Sequence, residues 1–202
     1  MSFSLLSTLY TVTVFSLFAA TLYRGSLHQK IALAFIALIV GYQAHEYQNR
    51  KLFIAVKNGE ILKAGQALRW GARVNARNTL GETPLMIAIG LGHNDLALDL
   101  ITKGADVHAS SFEHHTPLHY AVANGNYLLA ERLLTAGAHI DSQDLSGYTP
   151  LHYAVTYNDV ALMNLLVTKG ANLSLKNKKG MTSASLADKK FTQSPSKNLF
   201  HS

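Results

Sequence analysis

The chain has 202 residues, 48% of them hydrophobic and 15% charged, with a net charge of +6 and no cysteine. That length predicts one domain plus a smaller segment, and the lack of cysteine excludes a disulfide framework, a thiolate zinc site and a cysteine nucleophile. Outside the first fifty residues the net charge is only +4, from 15 basic (18 − 3) and 11 acidic (12 − 1) groups; without a clustered basic stripe, no nucleic-acid partner is expected.

The first predicted element is a membrane anchor over residues 1–45. Phe3 to Tyr23 is 21 residues without a charge, long enough as a helix to match a hydrocarbon core of about 30 Å. After the polar link Arg24 to Lys30 comes Ile31 to Ala44, a run of 14 that is short for a span, flanked by Lys30, which can snorkel, and by Tyr42 and Tyr47 at headgroup level. The expected spans are 3–23 and about 28–45; one span followed by an interfacial or buried helix stays open. A cleaved signal peptide fits less well, because Met1-Ser2-Phe3-Ser4 has no basic n-region and the apolar run is long for one. Arg50, Lys51, Lys57 and Lys63 after the second run outnumber Arg24 and Lys30 in the link, which places the rest of the chain on the cytoplasmic side of an inner or plasma membrane. Neither run holds Asp, Glu, Lys or Arg, so no intramembrane ion site is expected.

From Arg50 onward the chain is periodic. Thr83-Pro84-Leu85-Met86, Thr116-Pro117-Leu118-His119 and Thr149-Pro150-Leu151-His152 start 33 residues apart (116 − 83; 149 − 116), and Gly71, Gly104, Gly137 and Gly170, each followed by alanine, keep the same step. Each threonine can cap a helix whose first position is proline, where no donor is lost. Apolar residues then recur at helical spacing, as in Leu118, Ala121 and Val122, until Asn124-Gly125 ends the run. Second helices are predicted over Leu96 to Lys103, Leu128 to Ala136 and Val160 to Lys169, closed by the glycines. Polar loops link the copies.

A 33-residue period carrying Thr-Pro-Leu-His resembles the ankyrin repeat family. Over about residues 50–190 the resemblance implies an all-α repeat solenoid of helix-turn-helix units with hairpin-like loops, here behind one or two transmembrane helices. Its parts would be a degenerate cap at 50–81, repeats at 82–114, 115–147 and 148–180, and a C-terminal cap at 181–190, where Ser183 replaces proline. Residues 191–202 read as a flexible tail. Trp70, the single tryptophan, is expected to pack towards the membrane-proximal end.

Ten histidines raise a metal hypothesis. His119 and His152 fall on the motif position, where the resemblance implies a hydrogen bond between neighbouring repeats. His114 and His115 precede the helix start and read as exposed loop residues, with no fixed set of ligands around them. No nucleophile elbow, phosphate loop or His-Glu zinc motif appears. Catalytic residues, metal, cofactor and small-molecule substrate are therefore not expected, and the chain reads as a non-enzyme.

The resemblance implies an unidentified protein partner on the loop tips and the exposed side of the first helices, a concave face. That surface comprises Thr79, Leu80 and Glu82; Phe112, Glu113 and His115; Leu145, Ser146 and Tyr148; and Asn124 and Tyr157. Phe112, Leu145, Tyr148 and Tyr157 weigh most, since interfaces favour aromatic and apolar anchors; the alternative is that Phe112 and Leu145 fold back on their own hairpins. His114 stands where other loops have Gly81, Gly147 and Gly180, and Ser111 where the fourth has Asp144, so the third loop is expected to bend differently. The function expected is a membrane-tethered adaptor, scaffold or inhibitor. Alternatives are an exported, periplasmic-type protein that protects or inhibits an enzyme or toxin, and a structural subunit of a membrane complex.

Overall fold

A computed structural model describes residues 27–191. The expected span 3–23, and all but the first residue of the expected tail 191–202, lie outside them. The described chain is helical: α1 (Leu27–Lys57), α2 (Ile61–Arg69), α3 (Pro84–Gly90), α4 (Asn94–Thr102), α5 (Pro117–Ala123), α6 (Tyr127–Thr135), α7 (Pro150–Tyr157), α8 (Val160–Thr168) and α9 (Ser183–Phe191). One isolated antiparallel bridge joins Lys176 and Thr182. The chain divides into two compact units, Met1–Tyr47 and Gln48–Ser202.

In the first unit, α1 exposes Leu27, Ile31, Phe35, Leu38, Ile39 and Tyr42. Among the described residues no helix is long and apolar enough to cross a membrane. The second span expected over about 28–45 is thus not supported. Its apolar run is 14 residues long, from Ile31 to Ala44, or about 21 Å of helix at 1.5 Å per residue, and the same helix continues into His45, Glu46 and Arg50.

The second unit stacks helix pairs. First helices pack on first helices, α3 on α5, α5 on α7 and α7 on α9, while second helices do the same, α2 on α4 and α6 on α8. Between the two rows runs one core, which includes Leu52, Leu85, Leu100, Leu118, Leu133, Leu151 and Leu166, with Ala55, Ala88, Ala121 and Ala154 at equivalent positions. Small residues there let the helices of successive copies approach.

Each first helix begins as its sequence dictates. Thr83, Thr116 and Thr149 are extended residues preceding a helix whose first position is proline. The threonine hydroxyls stand 3.4 Å from the Met86 and His152 N–H, while those of Thr116 and Thr149 lie 2.9 and 2.8 Å from the Nδ1 of His119 and His152, and the histidine side chain completes the cap. His119 Nδ1 accepts from the Thr116 N–H at 3.1 Å, and His152 Nδ1 from the Thr149 N–H at 3.2 Å. In α9 Ser183 sits at the proline position with a buried hydroxyl that lacks a partner.

Glycines at positive φ end the second helices at Gly104, Gly137 and Gly170. Among the described residues, two other left-handed positions carry side chains. Asn158, at φ 59°, occupies the place that Gly125 fills one copy earlier, and asparagine tolerates this conformation. His114 is at φ 61°, beside 74° at Gly81, 77° at Gly147 and 73° at Gly180. Its N–H reaches the Ser111 carbonyl at 3.0 Å, as Gly81 reaches Asn78 and Gly147 reaches Asp144. The expectation that the third loop bends differently is therefore overturned: histidine takes the strained conformation and the turn is kept. His114→Gly should relieve that strain and stabilise the array by about 1 kcal/mol; a denaturant midpoint equal to or below wild type would show that the turn carries no strain.

Candidate functional site

The loops after α2, α4, α6 and α8 turn on one side-chain device. Asn78 Oδ1 accepts from the Leu80 and Glu82 N–H, both at 2.9 Å, and Asp144 Oδ1 from those of Ser146 and Tyr148, both at 2.8 Å. Asn177 does the same for Lys179 and Met181. Ser111, shorter, makes a single 3.2 Å bond to the His115 N–H. Such Asx-type bonds fold each hairpin tip, beside a backbone bond across it, as from the Asn78 N–H to the Glu82 carbonyl at 3.0 Å and from Asp144 to Tyr148 at 3.0 Å.

Neighbouring tips are tied to one another. The Phe112 N–H donates to the Leu80 carbonyl at 3.0 Å, Leu145 to Glu113 at 3.0 Å, and Lys178 to Ser146 at 2.9 Å. Arg77 bridges the Gly81 and Ser110 carbonyls, and Gln143 those of Gly147 and Lys176. The approach is close enough to demand glycine: a Cβ on Gly147 would lie 2.9 Å from the Lys178 nitrogen. The result is a rail along which side chains are held at fixed intervals.

Three apolar side chains stand out from this rail. Leu80 is 61% exposed, Phe112 is 66% exposed, and Leu145 is exposed as well. The Phe112 ring lies over Gly81 of the preceding tip, where a Cβ would meet its Cδ1 at 2.8 Å, so it does not fold back on its own hairpin. Thr79, Glu113 and Ser146 are exposed beside them.

Below the tips lies a polar and aromatic network. The Tyr120 hydroxyl donates to Glu82 Oε1 at 2.7 Å, and Asn78 donates to Glu82 Oε2 at 2.8 Å. The Tyr153 hydroxyl donates to Asp144 Oδ2 at 2.8 Å and lies 2.9 Å from His115 Nε2. His115 also stands 3.4 Å from Asp144 Oδ2 and 3.6 Å from Glu113 Oε2. His115 is therefore not the simple exposed loop residue expected of it, since its ring is half-buried and packs edge-on to Tyr120 and Tyr153. Tyr148 is half-buried against His152 and Tyr153. Tyr157 stacks on Tyr153 at 6.3 Å and stays exposed.

The electrostatics follow from this packing. Burial alone would raise the Asp144 carboxyl, but bonds from Tyr153 and from the Tyr148 and Ser146 N–H, with His115 nearby, hold it below the usual range. Burial and the carboxylate acceptors push the Tyr120 and Tyr153 hydroxyls up, so both stay protonated donors. His119 lies deeper, with Nε2 3.1 Å from the Tyr148 carbonyl. Burial lowers its pKa to about 4 against the opposing pull of that carbonyl. Since Nε2 must donate to a carbonyl and Nδ1 must accept from an N–H, one neutral tautomer satisfies both. His152 repeats the arrangement on the Met181 carbonyl at 3.1 Å, and burial lowers it too. These are the bonds between neighbouring repeats that the motif histidines imply. Met86 replaces histidine in α3, and its sulfur meets only its own cap, the Thr83 N–H at 3.4 Å.

The predicted surface residues thus separate by role. Leu80, Phe112, Leu145 and Tyr157 present apolar area, with Thr79, Glu113 and Ser146 around them. Glu82, His115 and Tyr148 are partly committed to the network. Asn124 is a strut whose Nδ2 donates to the Ile89 and Gly90 carbonyls at 2.7 and 3.1 Å. Tyr120, Tyr153 and Asp144 are absent from the sequence-predicted set, yet they organise it. A signal existed: each tyrosine stands 38 residues after its loop partner, Tyr120 after Glu82 and Tyr153 after His115. No group of three or more His, Asp or Glu side chains among the described residues is placed to hold a metal ion.

Comparison with known proteins agrees with this geometry. A family model described as ankyrin repeats (3 copies) matches residues 52–144 and, overlapping, 108–177. No curated protein matches the chain.

Proposed function

This chain belongs to the ankyrin repeat family, and from that premise we propose that it is a membrane-tethered module that binds another protein along its hairpin tips. Repeats of this kind serve protein–protein interaction, and stacking spreads their contacts over an extended face. The observation that carries the reading is the row Leu80, Phe112 and Leu145, apolar and exposed on a hydrogen-bonded rail, joined by the exposed Tyr157. Rigid apolar and aromatic side chains on a preorganised backbone lose little entropy on binding. The exposed Glu113 and the half-buried Glu82 give the surroundings of the row an acidic character. Such a surface serves an adaptor, scaffold or inhibitor.

The tether in this reading is Phe3–Tyr23, 21 residues without a charge, with the array on the cytoplasmic side as the Lys/Arg bias favours. Both parts are tested with one tagged chain, carrying at its C-terminus a reporter that fluoresces only in the cytoplasm and serves as the capture handle. Wild type should fluoresce at the membrane and recover its partner. A Phe112→Ala/Leu145→Ala variant should lose at least about tenfold in affinity, the effect of removing central anchors, while Leu128→Ser, at an exposed position on α6, should recover the partner like wild type. Equal recovery by all three would remove the tips as the binding surface.

A further inference from the structure

The second helices α2, α4, α6 and α8 are equivalent, and at their ends three agree. Position 69 of the first copy corresponds to Thr102, Thr135 and Thr168, and position 70 to Lys103, Ala136 and Lys169, all exposed. The first copy instead has Arg69 and Trp70. The fold does not require them, because small or polar residues serve at the same place three times. Trp70 is 76% exposed and Leu62, at the start of α2, is 82% exposed, so Trp70 does not pack as the sequence suggested.

These residues share one side of the helix. At about 100° per residue, Leu62, Gln66, Arg69 and Trp70 fall within an arc of roughly 100°, opposite the buried Ala64 and Ala67. Gln66, Arg69 and Trp70 line one shallow cleft. Lys63, paired with Glu60 at 2.8 Å, borders the stripe at a position filled by the buried Leu96, Leu129 and Leu162 in later copies. The face therefore combines one indole, one large aliphatic side chain and cations.

Charge along the chain is uneven. Residues 48–75 carry six basic groups and one acidic group, a net of +5 (6 − 1), residues 76–168 carry three and nine, a net of −6 (3 − 9), and residues 169–202 at the other end carry seven and one, a net of +6 (7 − 1), without a tryptophan. Tryptophan with basic side chains is the combination that suits the headgroup layer of an anionic bilayer: the ring is amphipathic and each cation gains from the surface potential. Leu62 is also only 18 residues (62 − 44) past the end of the last apolar run. We propose that the Leu62–Gln66–Arg69–Trp70 face of the first repeat rests on an anionic lipid surface, so that the array is oriented at the membrane as well as tethered to it. This rests on the tether proposed above.

Trp70 is the only tryptophan of the chain, so its fluorescence reads this face alone. The full chain is reconstituted into vesicles of phosphatidylcholine, or of phosphatidylcholine enriched in phosphatidylglycerol, with brominated lipid as quencher, and flotation is followed in parallel. The expected result is flotation with both lipids, but blue-shifted, quenched Trp70 emission only with phosphatidylglycerol, reversed by high salt. Arg69→Gln should float equally and lower the docked-to-free ratio read from quenching about fivefold, the factor for one cation at an anionic surface. Leu62→Ser, at a position where α4 has Asp95, should weaken quenching likewise. Flotation with water-exposed, unquenched Trp70 in both lipids would overturn the proposal while leaving the tether standing. Failure to float would remove the tether and the proposal with it. A blue shift that depends on protein concentration rather than on lipid would assign the face to a second copy and overturn the lipid assignment, as would equal quenching in both lipids.

Discussion

Leu118→Ala should cost about 2–5 kcal/mol of stability, and Leu151→Ala about the same. Both side chains are fully buried, at 0% and 1% exposure, on α5 and α7, and each belongs to the core shared with the neighbouring copies. The void left by a lost isobutyl group cannot be closed by collapse, because backbone bonds from tip to tip and the histidine bonds at the helix starts fix the spacing of the copies. The loss should be shared by the neighbours, since a repeat array is stabilised mainly through its interfaces. Chemical denaturation read by far-ultraviolet circular dichroism tests this. An unchanged midpoint for Leu118→Ala would mean that α5 does not couple the copies on either side.

Acidification should destabilise the array well before ordinary carboxylates titrate. His119 is held neutral in the fold, with a pKa of about 4 instead of 6.5. As pH falls through about 6.5 the unfolded chain takes up a proton that the folded chain refuses, so stability is full above that pH and declines below it. The decline ends near pH 4, where the folded form also binds the proton. A shift of this size corresponds to about 3 kcal/mol. His152, lowered by burial, acts in the same direction. Asp144 extends the loss further: its carboxyl is depressed in the fold, so its contribution is present above about pH 4 and is lost as pH falls through the folded value. Urea midpoints measured between pH 7 and pH 4 should fall steeply for wild type and less steeply for His119→Gln. Equal slopes would mean that His119 takes up its proton at the same pH in the folded and the unfolded chain.

Much of the fold was legible because its determinants are written in single residues that recur. Proline at a helix start and glycine at a left-handed helix end are constraints of covalent geometry, and the sequence displays them every 33 residues. His119 and His152 were legible for the same reason, as each bonds to a fixed place in the following copy. Less legible were side chains whose partners are carbonyl groups. Nothing in the letters reveals that Asn124 ties α5 to the end of α3, since every residue offers a carbonyl. His114 misled because its identity argued against a left-handed turn that its neighbours impose. Trp70 misled because a large aromatic residue at a helix end suggests packing, whereas the other three copies show that position to be solvated.

The second span is not supported because the apolar part of its helix is short. The uncharged run from Ile31 to Ala44 is 14 residues long and includes Gln43; polar residues follow it on the same helix, and a short apolar stretch cannot by itself be told from a helix that meets lipid or protein on its side.

The ties between copies also set the grain in which such a chain can grow or shrink. Each joins residues at a constant offset: 29 from His119 to the Tyr148 carbonyl, 32 between the N–H of one tip and the carbonyl of the tip before it, 33 from Arg77 to Ser110 and from Gln143 to Lys176. Inserting or deleting a complete 33-residue copy preserves every offset and gives each donor another acceptor of the same kind. A change of any other length leaves donors opposite side chains. Divergence in reach is thereby confined to whole copies, while divergence in specificity is free at the exposed tips, so the two properties can evolve separately.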